Sequence, residues 1–226
     1  VILAAFLLLN GIIFYAILSY LSTPSAPKGQ ALILLFTNTY FWIFNLFVVP
    51  IISMRLFPEE RRSGTIESLL TAPVSEGEVV IGKFLGALGF FLTLWAPTLL
   101  YVLFLRSQTR IDIGPVASGY LAVALLGAYF LAVGTFASTL TKNQIIAAII
   151  SFCAITLFFF SGLIQFILLD VSSTTKDLLG YFSAIEHMGT LSRGIIDTRP
   201  IVFYLSMTTV ALIFTQLIFQ SRKWRL

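Results

Sequence analysis

Charge is what this chain has least of. Its 226 residues carry 14 Lys and Arg and 10 Asp and Glu, together 11% of the chain, where a water-soluble domain carries about 25%. That is too little polar surface to coat a globule facing water. One Cys (Cys153) excludes an internal disulfide and says nothing of redox compartment. It lies in an apolar run and reads as a small packing residue. One His (His187) excludes a histidine metal cluster. The pair Glu186-His187 does not extend to the spacing that binds zinc on a helix, and His187 reads as a solvated loop residue. There is no Walker A run, no GxSxG, no pair of carboxylates within an apolar stretch and no metal-ligand cluster. The chain by itself therefore lacks the groups for ATP hydrolysis or other catalysis.

What is present is apolar. Hydrophobic residues make up 58% of the chain, Phe alone occurs 22 times, and mean hydropathy is +0.97. Crossing a bilayer takes about 20 apolar residues in a helix, the one non-barrel element that satisfies its own backbone in lipid. Six candidate spans follow, at about 1–21, 31–56, 79–105, 115–140, 144–169 and 201–219. The expected fold is an all-α polytopic membrane domain over residues 1–226. Residues 1–21 have no basic leader and read as a span rather than a cleaved signal. The chain starts within this apolar run, without Met, so further residues are expected upstream of Val1.

The second span contains Pro50, where a kink is expected. Thr141-Lys142-Asn143-Gln144 and Ser75-Glu76-Gly77-Glu78 both fit a capping box ahead of a span. Asn38, Asn45, Thr156 and Gln165 lie inside spans and read as interhelical hydrogen-bonding groups. Gly82 and Gly86 form a GxxxG pair, a weak pointer to a close helix contact. No Asp, Glu, Lys or Arg sits in mid-span, which argues against an ion-coupled carrier.

The net charge of +4 and pI near 9.3 are assigned to membrane edges rather than to nucleic acid. One set of loops holds Arg55, Arg61, Arg62, Lys83, Lys142, Arg222, Lys223 and Arg225. The other holds Lys28, Arg106, Arg110, Lys176, Arg193 and Arg199. The first set is larger and packed into shorter segments, so it is placed in the cytoplasm with both termini.

The densest charge cluster falls in the cytoplasmic segment 57–78, between the second and third spans. Pro58 suits a first helical position, and Glu59 and Glu60 then sit in the first turn, where the helix dipole favours anions. Ile66, Leu69 and Leu70 share a stripe, and Ala72-Pro73 ends the helix. The resulting amphipathic helix, Glu59 to Thr71, has two readings. It could lie on lipid headgroups, or dock into a groove on a protein. Glu59, Glu60, Glu67, Glu76 and Glu78 favour a protein with complementary charge, because an anionic leaflet gives them nothing. The loop 170–200 lies outside and holds Tyr181, Phe182, Ile185 and Met188 at mostly helical spacing. It reads either as short helices dipping into the outer membrane face or as an amphipathic segment lying on it.

The run from Glu59 through Arg61, Arg62, Gly64, Thr65, Ile66, Glu67, Leu69 and Leu70 to Pro73-Val74 resembles the signature of ABC-2 type permeases, and within them the gliding-motility and copper-handling branch. Gly82-Lys83-Phe84 is similar to that family's start of the third span. The resemblance implies a permease subunit of an ATP-driven transporter, an exporter in the inner (plasma) membrane. It implies that Glu59, Glu60, Arg61, Arg62, Gly64, Thr65, Ile66, Glu67, Leu69, Leu70 and Pro73 form a coupling helix docked on a separate ATPase, which carries the ATP and Mg. It further implies a second permease, identical or related, and an outer gate to which Tyr181, Phe182, Ile185 and Met188 are assigned. No cofactor is expected in this chain. The alternative function is an ATPase-linked membrane anchor that transmits force to an outer-face partner without moving a solute.

Overall fold

The structure, a computed structural model, describes residues 2–21, 23, 31–64, 75–108, 112–167 and 180–223. Among them the regular elements are all helical. They are α1 (Ile2–Leu21), α2 (Ala31–Thr37), α3 (Thr39–Ser53), α4 (Pro58–Ser63), α5 (Glu76–Trp95), α6 (Leu99–Gln108), α7 (Ile113–Leu140), α8 (Gln144–Ile167), α9 (Ala184–Leu191) and α10 (Thr198–Lys223). Five described stretches are long and apolar enough to cross a membrane: Thr39–Ser63, Glu76–Ser107, Ile113–Leu140, Gln144–Leu163 and Thr198–Ser221. Phe6–Tyr20 is a shorter apolar helix.

Apolar side chains such as Leu8, Ile12, Tyr15, Leu100, Leu157 and Val202 stand more than half exposed on these helices. In water such a surface would aggregate; in hydrocarbon it needs no cover. Cys153 belongs to this exposed surface of α8 rather than to the packed interior expected for it.

The second apolar run breaks where the sequence did not point. Asn38 takes an extended backbone (φ −67°, ψ 156°) between α2 and α3. Its Oδ1 accepts from Phe41 N at 2.7 Å, and its Nδ2 donates to Leu34 O at 2.8 Å. One side chain thus closes α2 and caps α3. Pro50 lies inside α3, and its carbonyl still accepts from Met54 N at 2.9 Å. Asn45 donates to Phe41 O at 2.7 Å, within its own helix rather than across to a neighbour. Thr156 Oγ1 is buried without a partner among the described residues.

The Ser75–Glu78 capping box forms as expected, with Glu78 N donating to Ser75 Oγ and Ser75 N to Glu78 Oε2 at 2.8 Å. The other box does not. The cap of α8 is Asn143, whose Oδ1 accepts from Ile145 N at 2.9 Å, while Thr141 Oγ1 accepts from Asn143 N. Asn reaches the first free amides from one residue closer, which leaves Thr141 to shape the turn. Between α5 and α6, Pro97 sits in one 3-10 turn, Ala96–Thr98. Thr98 Oγ1 lies 2.7 Å from the hydroxyl of Tyr120 and ties that turn to α7.

α7 is the centre of the bundle and packs against α2, α3, α5, α8, α9 and α10. Small residues let it. A Cβ on Gly127 would sit 2.2 Å from the Phe91 ring, and one on Gly134 2.3 Å from Ser53 Oγ. Lipid tails are as apolar as the helices, so close packing at small residues and polar contacts must hold spans together. Gly82 and Gly86 play no such part within this chain: a Cβ on either would meet nothing within 4 Å. α9 buries Ala184, His187, Met188 and Leu191, at helical spacing, against α2, α7 and α8.

Candidate coupling site

The site begins where α3 ends. Residues 54–57 form a turn, in which Met54 N donates to Pro50 O at 2.9 Å and Leu56 N to Ser53 O at 3.2 Å. Phe57 follows, fully buried, with its ring 5.4 Å from that of Phe219 on α10 and Val80 of α5 packed beside it. Pro58 then occupies the first helical position of α4, with Glu59 and Glu60 in its first turn and Arg61 and Arg62 in its last. The expected helix to Thr71 is interrupted. Gly64 has φ +75°, a left-handed conformation suited to glycine, and closes α4 after six residues. Thr65, Ile66, Glu67, Leu69, Leu70 and Pro73 lie outside the described residues.

α4 divides its charges between two faces. Glu59 and Arg62, three residues apart, are exposed together with Ser63. Glu60 and Arg61 turn toward the spans. The Lys83 ammonium of α5 lies 2.5 Å from Glu60 Oε1 and donates at 2.5 Å to the carbonyl of Leu56. The same ammonium stands 5.1 Å from the centre of the Phe57 ring. Arg61 Nη1 donates to Thr139 O, in the last turn of α7, at 2.7 Å. Arg61 therefore sits on a carbonyl at the C-terminal end of α7, where orphaned acceptors and the helix dipole favour positive charge, and Lys83 on a carbonyl of the turn that follows α3.

The sequence pattern missed this pairing. Lys83 reads from sequence only as an edge charge, and Thr139 only as one of several hydroxyls near a span end. The available signal is the isolated cation in the first third of an apolar helix, which needs an anion or carbonyls within reach.

The four residues assigned to the outer gate do not share one environment. Tyr181 and Phe182 are about two-fifths exposed and meet the Phe203 ring of α10 at 5.8 and 5.7 Å. Ile185 is half-buried, and Met188, at 2% exposure, is part of the core. His187 is not solvated. It is 6% exposed, with its ring 5.5 Å from both Phe203 and Tyr204. Burial pulls its pKa down to about 4, against the opposing pull of the Asp197 charge and a backbone hydrogen bond at Tyr181. The neutral ring is thus the native form near pH 7, and Nδ1 is buried without a partner among the described residues.

An apolar groove of about 430 Å³ opens between α1, α3 and α5, lined by Phe6, Asn10, Asn38, Phe44, Val48 and Trp95. The Asn10 and Asn38 amides that border it donate to their own helices, to Phe6 O and Leu34 O. Among the described residues no three His, Cys, Asp or Glu side chains come together as a metal site.

The sequence profile of a family described as ABC-2 family transporter protein matches residues 1–224. No curated protein matches the chain.

Proposed function

The chain belongs to the ABC-2 family of transporter proteins, and from that premise we propose that it is the membrane-spanning permease subunit of an ATP-driven exporter. The motif at residues 59–74 supports placing it in the gliding-motility and copper-handling branch. In this reading α1 and the α2–α3 pair complete six spans. The segment 57–78 faces the cytoplasm with both termini, and the protein resides in the inner (plasma) membrane. A separate ATPase binds the segment and supplies ATP and Mg²⁺ chemistry that this chain lacks. A second permease, identical or related, supplies the other wall of the path, since one small bundle filled by aromatic side chains leaves little room for a solute. Tyr181 and Phe182 would gate that path on the outer side.

The observation that carries the reading is the divided face of α4. Glu59 and Arg62 are presented outward on a helix whose other face is bonded to two spans. A headgroup-lying helix has no use for that arrangement. A helix that receives force from a partner needs both faces, one to be gripped and one to pass the load on.

The test is affinity purification from native membranes in mild detergent, with mass spectrometry of what accompanies the chain. A near-stoichiometric protein carrying a Walker A motif is expected. Glu59→Lys and Glu67→Lys should each lower its recovery by about tenfold, the effect of reversing a charge at a docking contact, with membrane insertion unchanged. Undiminished recovery in both variants would remove the docking role.

A further inference from the structure

We propose that Lys83 and Arg61 are positioning residues that fasten α4 to three spans, so that displacement arriving at Gly64 is delivered into the membrane domain. This rests on the reading of segment 57–78 as the ATPase-facing one, and it takes Glu60 and Arg61 out of the docking surface.

α4 has six residues, far below the length at which a helix holds itself together in water. Its direction is set by what it is attached to. On one side Lys83 gathers three elements on a single ammonium: the Leu56 carbonyl after α3, the Glu60 carboxylate of α4, and α5, which carries Lys83 itself. On the other side Arg61 takes the Thr139 carbonyl at the end of α7. Phe57, buried between Val80 and Phe219, fills the space between these two attachments.

The ion pair is not a surface ornament. Lys83 and Glu60 side chains are 18% and 30% exposed, and Glu60 Oε2 is buried with no hydrogen-bond partner among the described residues. A carboxylate so placed depends on its cation, and removing one partner strands the other. Beyond Arg62 the backbone turns left-handed at Gly64 and α4 ends there, so a load carried along the chain enters the fastened helix at that residue. A push on the far side of Gly64 meets a short helix that cannot slide along the membrane. It must rotate or shift α3, α5 and α7 together.

The experiment uses the full chain with the ATPase that accompanies it, reconstituted in lipid nanodiscs. Cys153→Ser supplies the background, and a single cysteine replaces the exposed Ile196 as a reporter on the opposite end of the bundle. The variants are K83M, which keeps the apolar stem, K83R, which keeps the charge, E60K, K83E and the swap E60K/K83E. The readouts are ATPase retention, ATP hydrolysis and the ATP-dependent change in maleimide labelling at the reporter. K83M, E60K and K83E are expected to retain the ATPase and hydrolyse ATP within about twofold of the unsubstituted chain, yet lose the labelling response by about fivefold or more. K83R and the swap should recover at least half of it, as expected when two side chains act as one contact. A full response in K83M, a swap no better than its single variants, or loss of the ATPase from K83M alone would each overturn the fastening role. Absence of any ATPase from the unsubstituted chain would instead remove the reading of the segment itself. Zero-length carbodiimide coupling of Glu60 to Lys83 checks the contact without the ATPase: it should form in the unsubstituted chain and be lost in K83M.

Discussion

Arg61 and Thr139 stand 78 positions apart, yet the Arg61 guanidinium donates to the Thr139 carbonyl oxygen at 2.7 Å. The acceptor is one of the carbonyls that the end of a helix leaves without an amide, and the donor comes from a helix that could not form alone. Each supplies what the other lacks. A side chain that looked from the sequence like part of a partner-facing surface is therefore spent within the chain.

Replacing Arg61 by Ala should cost about 1.5–3 kcal/mol, the worth of a hydrogen bond to a charged donor, and Arg61→Lys less. Hydrogen–deuterium exchange in detergent checks it. Amides of α4 and of the last turn of α7 should exchange faster together in Arg61→Ala. Faster exchange in α4 alone would mean that the bond does not join the two.

Gly127→Ala should destabilise the bundle by about 1–3 kcal/mol, the usual cost of overpacking, because its Cβ would stand 2.2 Å from a Phe91 ring that is fully buried. Gly86→Ala, with nothing within 4 Å, should leave the melting temperature in detergent unchanged or slightly raised, since Ala is the better helix former. Adding Phe91→Leu to Gly127→Ala should restore part of the loss. Equal behaviour of the two glycines would refute α7 as the close-packed centre.

His187 sets a pH dependence of definite sign. Its folded pKa of about 4 lies below the ordinary 6.5, so between these values the unfolded chain binds more protons than the folded one. The stabilisation is complete above about 6.5 and is lost as pH falls toward 4. From pH 7.5 to pH 5 the loss is on the order of 2 kcal/mol, or about 4–8 °C in Tm for a chain of this size. His187→Phe should show a shallower decline over the same range. An identical decline would assign the pH dependence to groups other than His187.

Orientation is open to a direct check. In a Cys153→Ser background, single cysteines at Arg62 and Lys142 should react with a membrane-impermeant maleimide only when the cytoplasmic side is exposed. Cysteines at Phe182 and Arg199 should react from the opposite side. All four positions are exposed, so burial cannot mask the result. Labelling of Arg62→Cys and Phe182→Cys from one side would overturn the topology.

The polytopic helical class and the Ser75 cap were legible in the sequence. Each depends on local chemistry: run length against bilayer thickness, scarcity of charge, and a Ser–Glu pair that needs only its own backbone. Pro58 and the two glutamates after it likewise announced the start of α4. The sequence could not say that α4 stops at Gly64, that Asn38 breaks the second run, or that His187 is buried. It could not tell Gly127, pressed against Phe91, from Gly86, which faces open space. Those outcomes depend on which residues from distant parts of the chain arrive beside one another. A cation such as Lys83 is an edge charge until the fold brings the Leu56 carbonyl and the Glu60 carboxylate to it. Only the tertiary structure makes that choice, because in hydrocarbon the partner of a polar group is decided by what lies within about 3 Å and not by its place in the sequence.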